Sequence, residues 1–280
     1  MSDVLVSTDW AIEHLKDSDK RFIEVDVDTT QYEAGHLPGA IAFNWQSQLQ
    51  DQVARDIIGK EDFEKLASEA GITPQTTVVL YGDNNNWFAA YAFWLFKYYG
   101  HNDVRLINGG RKKLVAEERQ LTTEVPSYPK TDYKVSKVNA DLRADREFIR
   151  ARLDKVGQNF SLVDVRSPAE FVGDIIAPPG MTETAQRPGH IPGAKNVPWA
   201  TAVAEDGTFK PVEDLQKIYG AKNISGDKEI VAYCRIGERS SHTWFALKYL
   251  LGYDNVRNYD GSWTEWGNLI GAPIAKGAES

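Results

Sequence analysis

The chain repeats itself, and nothing else in it constrains the fold so strongly. Leu162-Val-Asp-Val165 answers Ile23-Glu-Val-Asp-Val27, and Gly189-His190-Ile-Pro-Gly-Ala answers Gly35-His36-Leu-Pro-Gly-Ala. Further along, Ile230-Val-Ala-Tyr233 answers Val78-Val-Leu-Tyr81, and Asn255-Val-Arg-Asn-Tyr-Asp-Gly261 answers Asp103-Val-Arg-Leu-Ile-Asn-Gly109. Duplication of this quality implies two copies of one framework. Within the first copy, Arg21–Val27, Thr77–Tyr81 and Val104–Ile107 read as strands. Trp10–Leu15, Glu61–Ala70 and the aromatic Trp87–Tyr99 read as helices, the last two stopped by Gly71 and Gly100. Helices between short apolar strands predict an α/β fold in which each copy is a mostly parallel sheet with helices on both faces. At 280 residues, two such domains in tandem are the expectation. The polar stretch after Pro126, with a second proline at Pro129, reads as a connection. The expected boundaries are 1–125, a linker 126–140, and 141–280.

The offsets between the copies show where they diverge. Val25 to Val163 is 138 positions and His36 to His190 is 154, so the second copy gains 16 residues, around Gly173–Arg187. That stretch, with Pro178-Pro-Gly180, Thr182, Glu183, Thr184 and Gln186, fits either a loop at the rim of a site or filler at an interface. Gly82 to Cys234 and Gly109 to Gly261 are both 152 apart, so this part aligns without a gap. Here the copies differ in kind. Cys234-Arg235 in the second copy replaces Gly82-Asp83 in the first, which continues Asn84-Asn-Asn. The first copy therefore carries the scaffold without a nucleophile.

Cys234 ends an apolar strand, and a polar loop leads from it into a helical pattern starting near Ser240. A strand, a tight loop and a helix N-terminus together turn backbone N–H groups into a hollow that suits an anion. Positive charge and a helix N-terminus favour a thiolate, and Arg235 and Arg239 lie on the same loop. The expectation is a nucleophilic, ionised cysteine facing an anionic substrate.

Composition limits the alternatives. A net charge of -8 argues against a general nucleic-acid or membrane-surface binder. A single cysteine excludes a disulfide framework within the chain, a Cys-x-x-Cys pair and any resolving thiol. No signal peptide and no membrane-spanning run is legible, so a cytoplasmic, reducing setting is expected. His36 and His190 occupy equivalent places in an active and an inert copy, which points to a role in the fold. His242 reads as a capping or packing residue, and Trp263 and Trp266 as buried aromatics.

Several passages together resemble the two-domain rhodaneses, the thiosulfate sulfurtransferases. Tyr32-Glu-Ala-Gly-His36-Leu-Pro-Gly-Ala-Ile-Ala-Phe43 is similar to that family's amino-terminal signature, and Val256-Arg-Asn-Tyr-Asp-Gly-Ser-Trp-Thr-Glu-Trp266 to its carboxy-terminal one. Cys234-Arg-Ile-Gly-Glu-Arg239 stands where the family has its six-residue active-site loop, and the likeness runs from about Val6 to Ala272. The resemblance implies an inert first domain and an active second one. It implies that Cys234 attacks the outer sulfur of thiosulfate, expels sulfite and becomes a persulfide, which cyanide or a thiol then discharges. Arg235 and Arg239 would bind the sulfonate oxygens, with Ile236, Gly237, Glu238 and Ser240 completing the loop around the substrate. No metal or organic cofactor is implied, and a monomer or weak dimer is expected.

Two departures from the family bear on substrate. The mercaptopyruvate-using branch has small residues after its cysteine, whereas this loop carries two arginines and a glutamate, which favours thiosulfate over 3-mercaptopyruvate. Some members place an arginine a few residues beyond the Asp164-Val-Arg166 position; this chain has Glu170, so that contact does not carry over, and Arg166 is expected in a salt bridge to Glu170 or to a strand-end carboxylate. A phosphatase or arsenate reductase of the same fold needs five residues between cysteine and arginine. Only Arg235, Ile236, Gly237 and Glu238 intervene here. A persulfide carrier that serves a partner protein needs the same cysteine and is the alternative outside small-molecule catalysis.

Overall fold

Each half of the chain supplies short β-branched and aromatic runs that are apolar on both sides, the pattern of strands covered by helices on both faces. The computed structural model describes residues 4–180 and 184–278; of the gained stretch, Thr182 and Glu183 lie outside them. In the first half, β1 (Leu5–Val6), α1 (Thr8–Glu13), β2 (Lys20–Asp26), α2 (Thr30–Ala34), β3 (Ile41–Asn44), α3 (Trp45–Gln48), α4 (Lys60–Glu69), β4 (Thr77–Tyr81), α5 (Trp87–Tyr98), β5 (Val104–Ile107) and α6 (Gly110–Ala116) follow in order. Its sheet has the strand order β1-β5-β4-β2-β3, with every pairing parallel. The second half has α7 (Arg146–Arg150), β6 (Phe160–Asp164), α8 (Pro168–Val172), β7 (Lys195–Asn196), α9 (Val212–Gly220), β8 (Glu229–Tyr233), α10 (Glu238–Phe245), β9 (Val256–Tyr259) and α11 (Ser262–Trp266). Its sheet, β7-β6-β8-β9, is also wholly parallel.

The chain divides into two compact units, residues 1–140 with 204–209, and residues 141–203 with 210–280. The stretch read as a linker is strapped along the first unit. The Tyr128 hydroxyl donates to Gly39 O (2.7 Å), the Arg21 guanidinium lies 3.2 Å from the centre of the Tyr128 ring, and Asn139 N–H donates to Tyr98 O (2.7 Å). In the first unit α5 is buried along Phe88–Phe96. The second unit buries Trp263 and Trp266 with Phe160, Leu162, Val231 and Tyr233.

The duplication extends to hydrogen bonds. Leu37 N–H donates to the Tyr81 hydroxyl and Ile191 N–H to the Tyr233 hydroxyl, each at 3.1 Å. His36 stacks on Tyr32 and His190 on Phe171, both with ring centres 3.7 Å apart, and each Nδ1 sits 2.8 Å from a backbone carbonyl. Both histidines are thus built into the frame. The central strand pair differs between the copies. Asp26 lies opposite Asn44 as Asp164 lies opposite Asn196, yet Tyr81 lies opposite Glu24 whereas Tyr233 lies opposite Asp164. A shift of two residues leaves every side chain on its original face, so both cores tolerate it.

In the first unit the shift leaves Asp26 buried beside the loop that follows β4, where it accepts a hydrogen bond from Asp83 N–H (2.8 Å). Burial pushes its carboxyl up to about 8, the charges of Asp83 and Glu24 add to this, and the Asp83 N–H bond and Arg111 oppose it. The folded state therefore holds a proton that the unfolded chain releases near pH ~4. The associated stability is full below that pH and is lost as pH rises toward 8. Asp26→Asn keeps the acceptor oxygen and removes the titration. It should be more stable than the parent at pH 8 by a few kcal/mol at most (about 1.4 kcal/mol per pKa unit), with the gap closing toward pH ~4. Denaturant melts across that range test this; parallel curves for parent and variant would contradict it.

Candidate active site

The end of β8 delivers Cys234 against the start of α10. Gly237, in the left-handed region at φ +99°, turns the chain into that helix, and a Cβ there would lie 2.9 Å from Asp260 Cα. Only glycine meets both demands without displacing the backbone. The helix begins at Glu238 rather than near Ser240, so Glu238 and Arg239 sit in its first turn, and the loop proper is only Arg235, Ile236 and Gly237.

Cys234 is fully buried. Gly237 N–H donates to its Sγ at 3.1 Å, and the thiol donates to Glu238 Oε2 at 3.3 Å. Cys234 N–H donates to Ser262 Oγ (3.0 Å), and the Ser262 hydroxyl, 3.9 Å from Sγ, is fixed by donating to Tyr259 O (2.7 Å). Ser262 holds φ +51°, an uncommon conformation for a residue with a side chain, and these hydrogen bonds tie it there. Ser240 donates to Gly237 O (3.1 Å) and Asn258 Oδ1 (2.7 Å), which braces the turn. Ile236 and Arg235 are both buried, and the Arg235 carbonyl accepts from Thr264 N–H (3.0 Å).

The expectation of an ionised cysteine is corrected. Burial pushes the Cys234 thiol up, Glu238's charge pushes it further, and Arg239 and the hydrogen bonds of Ser240 do not offset them. Arg239 is engaged elsewhere. Its Nη1 and Nη2 donate to Glu170 Oε2 (3.1 Å) and Oε1 (3.2 Å), and its Nε lies 3.5 Å from Glu238 Oε1. A guanidinium held between two carboxylates has little field left for a thiolate.

Glu170, read from the sequence only as a departure from the family and a candidate partner of Arg166, pairs with Arg239 instead. Burial raises its carboxyl, but hydrogen bonds from Arg239, Arg239's charge, the Ser167 N–H bond and Arg166's charge outweigh that and hold it below the ordinary glutamate range. Ser167-Pro-Ala-Glu170 is a capping box with proline at the first helical position. That signal was legible and marks Glu170 as a cap; that the same carboxylate also grips Arg239, 69 positions away, was not. Arg166 pairs with Asp164 (Nη2 to Oδ2, 2.6 Å), the strand-end carboxylate, and donates to Gly189 O (2.7 Å). His242 is buried, burial alone pushes it down to about 3, and its ring packs edge-on to Trp199.

The same place in the first unit is closed. A Cβ on Gly82 would collide with Val25 O and lie 3.0 Å from Asp26 Oδ1. Asn84, Asn85 and Asn86 all hold left-handed φ, which asparagine tolerates better than most residues. The Asn86 side chain accepts from Gly82 N–H (3.0 Å) and donates to Ile107 O (2.8 Å), which ties the loop down.

Two copies of one α/β unit, the second bearing a cysteine cradled at a helix start, define the class. The rhodanese-like domain model matches residues 7–117 and 145–269, and this chain belongs to that family. It is 57% identical over 280 residues to a protein of Haloferax volcanii named "Putative thiosulfate sulfurtransferase", covering 98% of this chain and 97% of that one. It is 58% identical over 279 residues to the sulfur carrier protein TtuD of Thermus thermophilus, covering 99% and 98%. Among solved structures it resembles YnjE, with TM-score 0.87 and 26% identity over 99% of this chain and 69% of that one. It also resembles a variant of EanB solved with ergothioneine, with TM-score 0.86 and 26% identity over 99% and 71%. Among the described residues, no helix is long and apolar enough to cross a membrane.

Proposed function

We propose that this chain is a thiosulfate sulfurtransferase. Cys234 takes the outer sulfur of thiosulfate as a persulfide, releases sulfite, and passes the sulfur to cyanide or a thiol, with the first domain inert. The observation that carries the reading is a single cysteine whose Sγ accepts the Gly237 N–H at the head of α10. An outer sulfur added there would meet the same backbone field. The relative named for thiosulfate supports the donor. Arg235, buried in the three-residue loop, is the cation assigned to the sulfonate. Arg239, already clasped by Glu170, shapes the wall and contributes to donor binding through residual charge. With one cysteine in the chain, the acceptor is external, and a reducing cytoplasm is the fitting compartment.

A second reading, a carrier that hands its sulfur to a protein, is favoured by the relative named as a sulfur carrier. Mixing with thiosulfate should release about one equivalent of sulfite per chain in a burst, with one sulfur atom gained on Cys234. Cys234→Ser should release none. Steady turnover with cyanide marks the catalyst, and discharge only by a protein acceptor marks the carrier. Charging by 3-mercaptopyruvate in place of thiosulfate would move the donor assignment. Hydrolysis of a phenyl phosphate without sulfite release would defeat the reading.

A further inference from the structure

We propose that Glu238 is the base that removes the Cys234 proton as sulfur is taken up, and the acid that returns it; this rests on the sulfur-transfer reading above. The thiol already donates to Glu238 Oε2 at 3.3 Å, and both groups are buried. The neighbouring charges are committed elsewhere. Arg239 is gripped by Glu170, Arg166 from the end of β6 by Asp164, and Asp260 beyond β9 by Arg143 (2.8 and 2.9 Å). His242, on the same helix as Glu238, is held neutral by burial, and Arg235 in the loop is a permanent cation. Among the described residues, Glu238 is thus the titratable side chain hydrogen-bonded to the reacting sulfur.

The chemistry explains why a carboxylate stands beside a cysteine that must meet a dianion. In the resting state the thiol and the carboxylate together carry one negative charge. As Sγ bonds to the outer sulfur of thiosulfate, the thiol proton passes to Glu238, and the sulfur–sulfur bond breaks with its electron pair leaving on sulfite. The products are the persulfide anion, sulfite and a neutral Glu238 carboxylic acid, so charge is conserved, and Glu238 stops repelling at the moment charge builds on sulfur. In discharge, the Glu238 proton goes to the persulfide. Cyanide attacks the outer sulfur, the bond between that sulfur and Sγ breaks with its electron pair on Sγ, and the proton ends there, so thiocyanate, the Cys234 thiol and the Glu238 carboxylate are the products.

The test is single-turnover charging followed by sulfite release and by intact mass, across pH, in the full-length protein. The parent should show a rate that stays level through the neutral and alkaline range. Glu238→Gln should charge about 10²–10⁴-fold more slowly at pH 7, the usual loss for a general base. Its rate should then climb roughly tenfold per pH unit as solvent takes over the proton. Glu238→Asp, which keeps the carboxylate, should be slower than the parent but keep the level profile. Equal rates in parent and Gln variant overturn the assignment, as does a slowing by one constant factor at every pH, the mark of a merely structural role. If far-UV circular dichroism shows the Gln variant unfolded, the Asp variant decides, and an unchanged rate there overturns the proposal. Should neither thiosulfate nor 3-mercaptopyruvate charge the parent, the sulfur-transfer reading falls and takes this one with it. A parent that charges beside an indifferent Gln variant defeats the base alone.

Discussion

Glu170→Gln should cost about 3–5 kcal/mol of stability, the usual penalty for removing one member of a buried ion pair. Glu170 Oε2 accepts at once from Ser167 N–H (3.0 Å), the Ser167 hydroxyl (2.9 Å) and Arg239 Nη1 (3.1 Å), while Oε1 accepts from Arg239 Nη2 (3.2 Å). An amide keeps the shape of the cap but turns one acceptor into a donor facing a guanidinium. Arg239 is then left buried with only the longer contact to Glu238 (3.5 Å). The loss should be coupled, so the double variant Glu170→Gln/Arg239→Gln should recover more than half of the stability lost by the single change. Chemical denaturation of the four members of the cycle measures this, and strictly additive effects would contradict it. The pH dependence has a definite sign. Glu170 is held below the ordinary glutamate range, so its contribution is present above that range and disappears as pH falls through the folded value. The single variant should therefore converge on the parent in acid.

Gly82→Cys, made in a Cys234→Ser background, should not create a second sulfur-charging site. Equivalence by sequence places Gly82 where Cys234 stands, but its new Cβ would collide with Val25 O and press on Asp26 Oδ1 at 3.0 Å. Asn86 also holds the N–H of Gly82, which fixes the loop in its present form. Expected outcomes are no sulfite burst and a destabilisation of about 1–3 kcal/mol or more, as for overpacking a filled core. A measurable gain of sulfur on the new cysteine would show that the first unit retains a competent loop. The physical point is that the first unit lacks the cysteine and also leaves no room for one at that place.

Much of this was readable in the chain before any fold was in hand. The repeat located both units, both histidine frames and the asymmetry between Cys234 and Gly82, because a duplicated sequence reports its own alignment. Apolar runs flanked by helical patterns specified parallel sheets, since strands covered on two faces have no polar side to show. The two signatures and the loop Cys234–Arg239 identified the family, and the spacing to Arg239 argued against phosphate. What sequence reasoning misjudged was electrical. It counted Arg235 and Arg239 as a positive field on a thiolate, because neighbours in sequence are the only neighbours it can see.

The tertiary structure decided the rest. It brought Glu170 from α8 against Arg239, and it started α10 two residues earlier than read, which set Glu238 against Sγ. It buried the whole site, and that burial pushes the Cys234 thiol up. Charge state depends on burial and on partners distant in sequence, and local pattern carries neither. The sequence by itself therefore determined the duplicated fold, the family and the place of the one cysteine. Only the tertiary structure determined which charges surround that cysteine, and so which carboxylate lies against its sulfur.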